Sequence, residues 1–372
     1  MPREHNNIII IFADTISFRI FGTTIIVLNS TGVAHDLLEK RQNLYSNRYR
    51  PPMVVSPKLM DTQGFTAFLN SNNLWKKHRR AFSTRLNVQS AAEFRPLQEK
   101  QCGLLLQRLL DFCTSTQSSN ELLREFYRTA SSIFLDSIYG YELKSADDPF
   151  FVNVVILNEH LAKAAIPSRG SETSTMTLVW FVLATVLHPE VQAKVQQEID
   201  TAIGSNRLPT FSDRPNLPYL ERVLLEVLRW RPGIPLGAPH ISNGEDEYRG
   251  YRIPKGAIVI GNIWATTREE KIYHNPEFNP DRFLDPKVPH PLVFGWGSRI
   301  CPGKHFFREM FFIEAAQILA VFKLQKLKDE KGQVVEPETR VTADSGVPRP
   351  IEFKIQITPR SSQHVELIHT AA

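Results

Sequence analysis

Phe294-Gly295-Trp296-Gly297-Ser298-Arg299-Ile300-Cys301-Pro302-Gly303 is a glycine-rich turn that presents one cysteine just ahead of a long apolar helical stretch. Gly297 and Gly303 allow close backbone approach and unusual dihedrals, so amide N–H groups can point at the sulfur. Pro302 suits the first helical position, where no N–H is needed. A cysteine at a helix N-terminus feels the positive end of the dipole, which favours thiolate and prepares a metal ligand. The ordinary alternative is a buried free cysteine on a glycine turn, so the surrounding sequence has to decide.

The chain has 372 residues, 42% of them hydrophobic and 22% charged, with no low-complexity tract, which excludes fibrous and disordered classes. No linker separates independent cores, so we expect a single domain over 1–372: an N-terminal β-hairpin in 1–30, a helical part in 31–203, and helices, small sheets and the cysteine loop in 204–372. A net charge of +5 is too mild and dispersed for a nucleic-acid footprint. Cys102, Cys113 and Cys301 are too few and too far apart for a disulfide framework or a zinc quartet. The apolar run Ile8 to Ala13 is too short to span a bilayer and lacks the features of a secretory signal, so no anchor or export address is expected.

Residue periodicity gives a mainly α chain with small β-sheets, an α+β class. A hairpin is expected around Gly22, with helices over Val33 to Lys40, Asn73 to Thr84, Ala91 to Thr114 and Glu121 to Tyr139. Further helices cover Gly170 to Leu187, Pro189 to about Ile203 and Tyr219 to Arg231. Short strands alternate with turns between Pro232 and Ile263, Asn275 to Pro291 is an irregular loop, and strands close the chain from Val341 to Ile357.

Phe294, Gly297, Arg299, Cys301 and Gly303 fill every fixed position of FxxGxRxCxG, and on that motif the chain resembles the cytochrome P-450 family of haem-thiolate monooxygenases. The resemblance implies haem b (iron protoporphyrin IX) with Cys301 as the axial iron ligand, Phe294 over the haem side of the thiolate, and Arg299 on a haem propionate. Glu226 and Arg229 lie three apart on one helix face, and Pro280-Asp281-Arg282-Phe283 resembles the family's Pro-Glu-Arg-Phe loop; together they imply a structural triad that locks the cysteine loop. Trp75-Lys76-Lys77-His78-Arg79 matches WxxxR, whose tryptophan and arginine meet a propionate, and Pro239-His240 resembles another propionate contact. Each is commonplace alone: an ion pair on a helix, an amphipathic spacing, a structural histidine.

Gly170-Ser171-Glu172-Thr173-Ser174 resembles the family's proton-relay groove. Reduction of dioxygen consumes two protons before the O–O bond breaks, and Glu172 and Thr173, with ordered water, can pass them; the bland reading is a solvated helix start with an acid in its first turn. Arg169 departs from the small residue usual there. Lys76, Lys77, Arg80 and Lys304 flank the expected proximal face, where the family docks an NADPH-cytochrome reductase, though such charges also suit a plain solvated surface. The wording of Leu187-His188-Pro189-Glu190-Val191-Gln192 and Pro254-Lys255-Gly256 resembles fungal members.

Two stretches of the family pattern are missing. The chain opens at the first sheet, without a membrane helix, so the family's location on the cytosolic face of the endoplasmic reticulum and a cytoplasmic one both stand. Between Trp75 and Gly170 there is too little sequence for the helices that roof the substrate pocket, so an incomplete P-450 fold is expected. An open distal face admits water and diverts reduced oxygen to peroxide. The sequence therefore implies a monooxygenase acting on an apolar small molecule, with a non-catalytic haem-binding or decayed remnant as the alternative.

Overall fold

The computed structural model describes residues 14–114, 117–153, 155–156, 170–342 and 346–371. The chain begins with the antiparallel pair β1 (Thr15–Ile20) and β2 (Thr23–Leu28), joined through Phe21 and Gly22, both at positive φ as a two-residue hairpin turn requires. Ser30 caps the next segment by accepting from the Val33 N–H at 3.4 Å. The helix expected over 33–40 is instead one α turn, Thr31–Ala34, followed by a π-helical turn, His35–Lys40, in which the adjacent Leu37 and Leu38 are both buried. A two-residue strand, β3 (Asn47–Arg48), follows.

Helix α1 (Asn73–Arg85) starts where the Asn72 side chain accepts from the Trp75 N–H at 2.9 Å. The single helix expected over 91–114 breaks at Glu93 and Phe94: a short turn, Val88–Ala92, precedes α2 (Arg95–Asp111), where Pro96 suits a first turn. After β4 (Gln117–Ser118) comes α3 (Ser119–Tyr139), opened by a Ser118/Glu121 capping box and stopped by Gly140 at φ 62°. Next are α4 (Gly170–Leu187), α5 (Pro189–Ala202) and α6 (Pro218–Trp230). Then follow β5 (His240–Ile241), the hairpin β6 (Asp246–Tyr248) and β7 (Tyr251–Ile253), and β8 (Ile258–Gly261). The chain ends with α7 (Lys304–Val321), β9 (Phe322–Lys326), β10 (Lys354–Pro359) and α8 (Ser362–Thr370).

One sheet runs β1-β2-β8-β5-β3, with β8 parallel to β2, and a second runs β4-β10-β9. The strand expected from Val341 begins only at Lys354; Val341 and Pro350 form an isolated bridge, where Pro348 and Pro350 bring no N–H for a ladder. Helix α8 gave no periodic signal in nine residues. Packed around α4 are α3, α5, α6, α7 and β9, and from Met176 to Val186 its apolar side chains are buried on every face. Such a helix reads as apolar all round because its whole circumference is core. Among the described residues no single helix is long and apolar enough to cross a membrane.

Candidate functional site: the Cys301 loop and its basic surround

The cysteine loop is fixed from both sides by residues that leave no room for alternatives. Trp296 is buried against the sheet, and a Cβ on Gly261 of β8 would fall 2.3 Å from its ring. Gly297 sits at φ 53°, where a Cβ would meet the Leu38 carbonyl at 2.8 Å. Ser298 N–H donates to Gln42 Oε1 at 2.9 Å, and Cys301 N–H to the Phe294 carbonyl at 2.8 Å. Phe294 turns its ring toward Phe307 of α7, centroids 5.9 Å apart.

Helix α7 begins at Lys304 with Gly303 as its cap, so Pro302 precedes the helix instead of opening it. Gly303 has φ −86°, and a Cβ there would meet no protein atom. Its role is carried by its N–H, which hydrogen-bonds the Cys301 sulfur. The Cys301 surface is open, yet the thiol lies deep enough that burial raises its pKa above the usual 9.0, against the Gly303 amide and the charges of Arg79 and Lys304. The Gly303 amide, Arg79 and Lys304 favour the thiolate, and burial opposes it until a cation arrives.

Beside the thiol, basic side chains gather without counter-charge. Arg299 donates Nε to the Ser46 carbonyl at 2.6 Å and Nη2 to the Leu69 carbonyl at 2.8 Å, and its guanidinium lies 4.1 Å from the Trp75 ring centre. Arg79, one turn after Trp75 on α1, bears on the Cys301 sulfur. Arg48 on β3 is half-buried; its Nη1 donates to the Ala238 carbonyl at 2.5 Å and its buried Nε has no partner. Burial and mutual repulsion push Arg48 down to about 10 and Arg299 down to about 9. No carboxylate among the described residues bears on any of the three. His240 on β5 completes the group, buried beside Arg48 and Arg299.

Buried cations without anions are costly unless a ligand brings the charge. A planar macrocycle with two carboxylates at its edge and a metal above the thiol supplies both, so these residues fit haem. Sequence analysis pointed to Trp75, Arg79, His240, Arg299 and Cys301, and the structure brings them together. It missed Arg48, which belongs to no spacing pattern and is recognisable only by its buried, unpaired Nε.

Glu226 on α6, wholly buried, accepts from Arg229 at 2.7 and 2.8 Å and from Arg282 Nε at 2.9 Å. Arg229 also donates to the carbonyls of Thr267, Pro276 and Glu277, and Arg282 to those of Tyr273, Asn275 and Glu277. Two guanidiniums and one carboxylate thereby tie off the backbone of the irregular loop before the cysteine. On α4, Thr173 is half-buried, with its Cβ 3.5 Å from where a Cβ on Gly233 would stand. The Glu172 side chain, and all of Arg169, lie outside the described residues. Lys76, Lys77 and Arg80 are exposed and Lys304 is half-buried.

The sequence model of the family described as Cytochrome P450 matches residues 11–169 and 164–348. A cytochrome P450 monooxygenase of Armillaria gallica is 29% identical, over 95% of this chain and 86% of its own length. Cytochrome P450 monooxygenase 208 of Postia placenta is 30% identical, over 97% of this chain and 86% of its own. These alignments span 449 and 451 residues against the 372 here, so the relatives carry residues with no counterpart in this chain. The family match restarts at residues 164–169, just ahead of α4. A zebrafish cytochrome P450 solved with abiraterone shares the fold, with a TM-score of 0.79 at 21% identity over 94% of this chain and 96% of that one. Family match, fold and thiol loop agree: this chain belongs to the cytochrome P450 family.

Proposed function

We propose that the chain is a haem b-dependent monooxygenase that inserts one atom of dioxygen into an apolar organic substrate, with electrons from an NADPH-dependent reductase. The observation that carries this reading is the cluster of buried Arg299 with half-buried Arg48 and Arg79, without a counter-ion among the described residues, beside the open Cys301 thiol. Haem iron, when bound, supplies the activation of dioxygen. Cys301 gives its thiolate, Gly303 N–H tunes that sulfur, and the arginines with Trp75 orient the macrocycle through its carboxylates. Thr173, at the first turns of α4, holds a hydroxyl where protons can pass, with Glu172 as the acid of that relay. Lys76, Lys77 and Arg80 offer the reductase a positive face. Residence on the cytosolic face of the endoplasmic reticulum is proposed on family resemblance alone.

A second reading, a haem-binding remnant without turnover, is favoured by the residues its relatives have and this chain lacks. Turnover under isotopically labelled dioxygen, with a reductase and a panel of apolar compounds, separates the two. Label in product, abolished by Cys301→Ala, supports the enzyme. Reductant consumed entirely as peroxide, with no labelled product, supports the remnant.

A further inference from the structure

His240 is held in one tautomer by its own hydrogen bond. Its Nδ1 lies 2.6 Å from the Tyr45 carbonyl oxygen, and a carbonyl only accepts, so Nδ1 carries the hydrogen. In the neutral ring Nε2 is then a bare lone pair, and it has no hydrogen-bond partner among the described residues. The charges bearing on the ring are Arg48 from β3 and Arg299 from the ligand loop, both positive. From β8 the residue opposite is apolar Val259, and the Tyr45 hydroxyl is committed to Asp246 at 2.8 Å. Burial and the two guanidiniums hold His240 well below its usual 6.5, so the ring is neutral in the cofactor-free chain.

A carboxylate brought to this cluster meets a lone pair unless a proton lies between them. It also offsets the positive field that, together with burial, kept the ring neutral. Resting on the haem reading above, we infer that His240 takes up a proton from solvent as the haem carboxylates dock, and so works as a proton-coupled latch for cofactor loading. A solvent hydronium gives up the proton and leaves as water, an N–H bond forms at Nε2, and that N–H donates to the carboxylate oxygen; no other covalent bond changes. Thiolate ligation by Cys301 releases a proton in the opposite sense. With the latch intact, the two exchanges offset, and loading is nearly independent of pH.

The test is haem titration of the full chain against His240→Gln and His240→Arg, with protons counted calorimetrically in two buffers of different ionisation heat. Glutamine offers a neutral donor and arginine brings its own charge, so neither needs a proton; Cys301 contributes equally in all three. We expect the unaltered protein to take up about one proton more per haem than either variant. Its affinity relative to theirs should fall about tenfold per pH unit between about pH 6 and about pH 8. Equal proton counts and a pH-independent affinity ratio in either variant that folds would overturn the latch while leaving the haem reading intact. Absence of haem uptake by the unaltered protein would overturn both.

Discussion

Arg48, half-buried and without a counter-ion, and Glu314, fully buried and without a partner, have opposite consequences. Arg48 awaits an anion. Its replacement, Arg48→Met, should stabilise the cofactor-free chain by about 1 kcal/mol or more while weakening haem binding roughly tenfold to a hundredfold. Thermal melts with and without haem check this, and a loss in both states would contradict the ligand-waiting role. Glu314, on α7, is fully buried, and neither carboxylate oxygen has a partner. Burial pushes it from 4.5 up to about 8, so the folded chain keeps its proton where the unfolded chain loses it. The stability this proton confers is complete below about pH 4.5 and is lost as the pH rises through about 8. Glu314→Gln should therefore be more stable than the parent at pH 7, by on the order of 3 kcal/mol, and nearly equal to it near pH 5. Denaturant melts at the two pH values decide; a constant difference would contradict the assignment.

At the scale of elements, two joints carry the ligand loop. Glu226 on α6 pairs with two guanidiniums that between them make six hydrogen bonds to five backbone carbonyls, Glu277 accepting from both. Glu226→Ala leaves both cations uncompensated in the core and should cost about 3–5 kcal/mol. The same change should release haem, since the loop it anchors leads directly into Phe294; full haem retention in a folded variant would show the triad to be dispensable. The second joint is the contact of Gly261 on β8 with Trp296. Gly261→Val drives a side chain into the indole, so it should disturb the thiolate signature although residue 261 lies in a strand and touches neither Cys301 nor the arginine cluster. Spectra of the reduced carbon monoxide complex report that change without relying on turnover.

For the whole molecule, the sequence disclosed what recurs in fixed spacing and hid what depends on the fold. Phe294 to Gly303, Glu226 with Arg229, and Trp75 with Arg79 are local patterns, and each landed in the expected neighbourhood. Helix α4 was visible because a fully buried helix is apolar throughout its length. Arg48 was invisible because its meaning comes from burial, which pairing of β3 with β5 creates across almost two hundred residues. The break at Glu93 and Phe94 escaped because apolar periodicity continues across it, and α8 because nine residues give too few turns to show a face. The same distinction applies to Cys301: the motif announced a ligand, but only the fold revealed that burial opposes the thiolate until a metal compensates.

In the proposed function Cys301 ligates haem iron as a thiolate. It is tested most directly by the carbon monoxide difference spectrum of the reduced, haem-reconstituted chain beside Cys301→Ala. A strongly red-shifted Soret band that disappears in the variant is expected. A chain that takes up no haem, or a band that persists unchanged without Cys301, would contradict it.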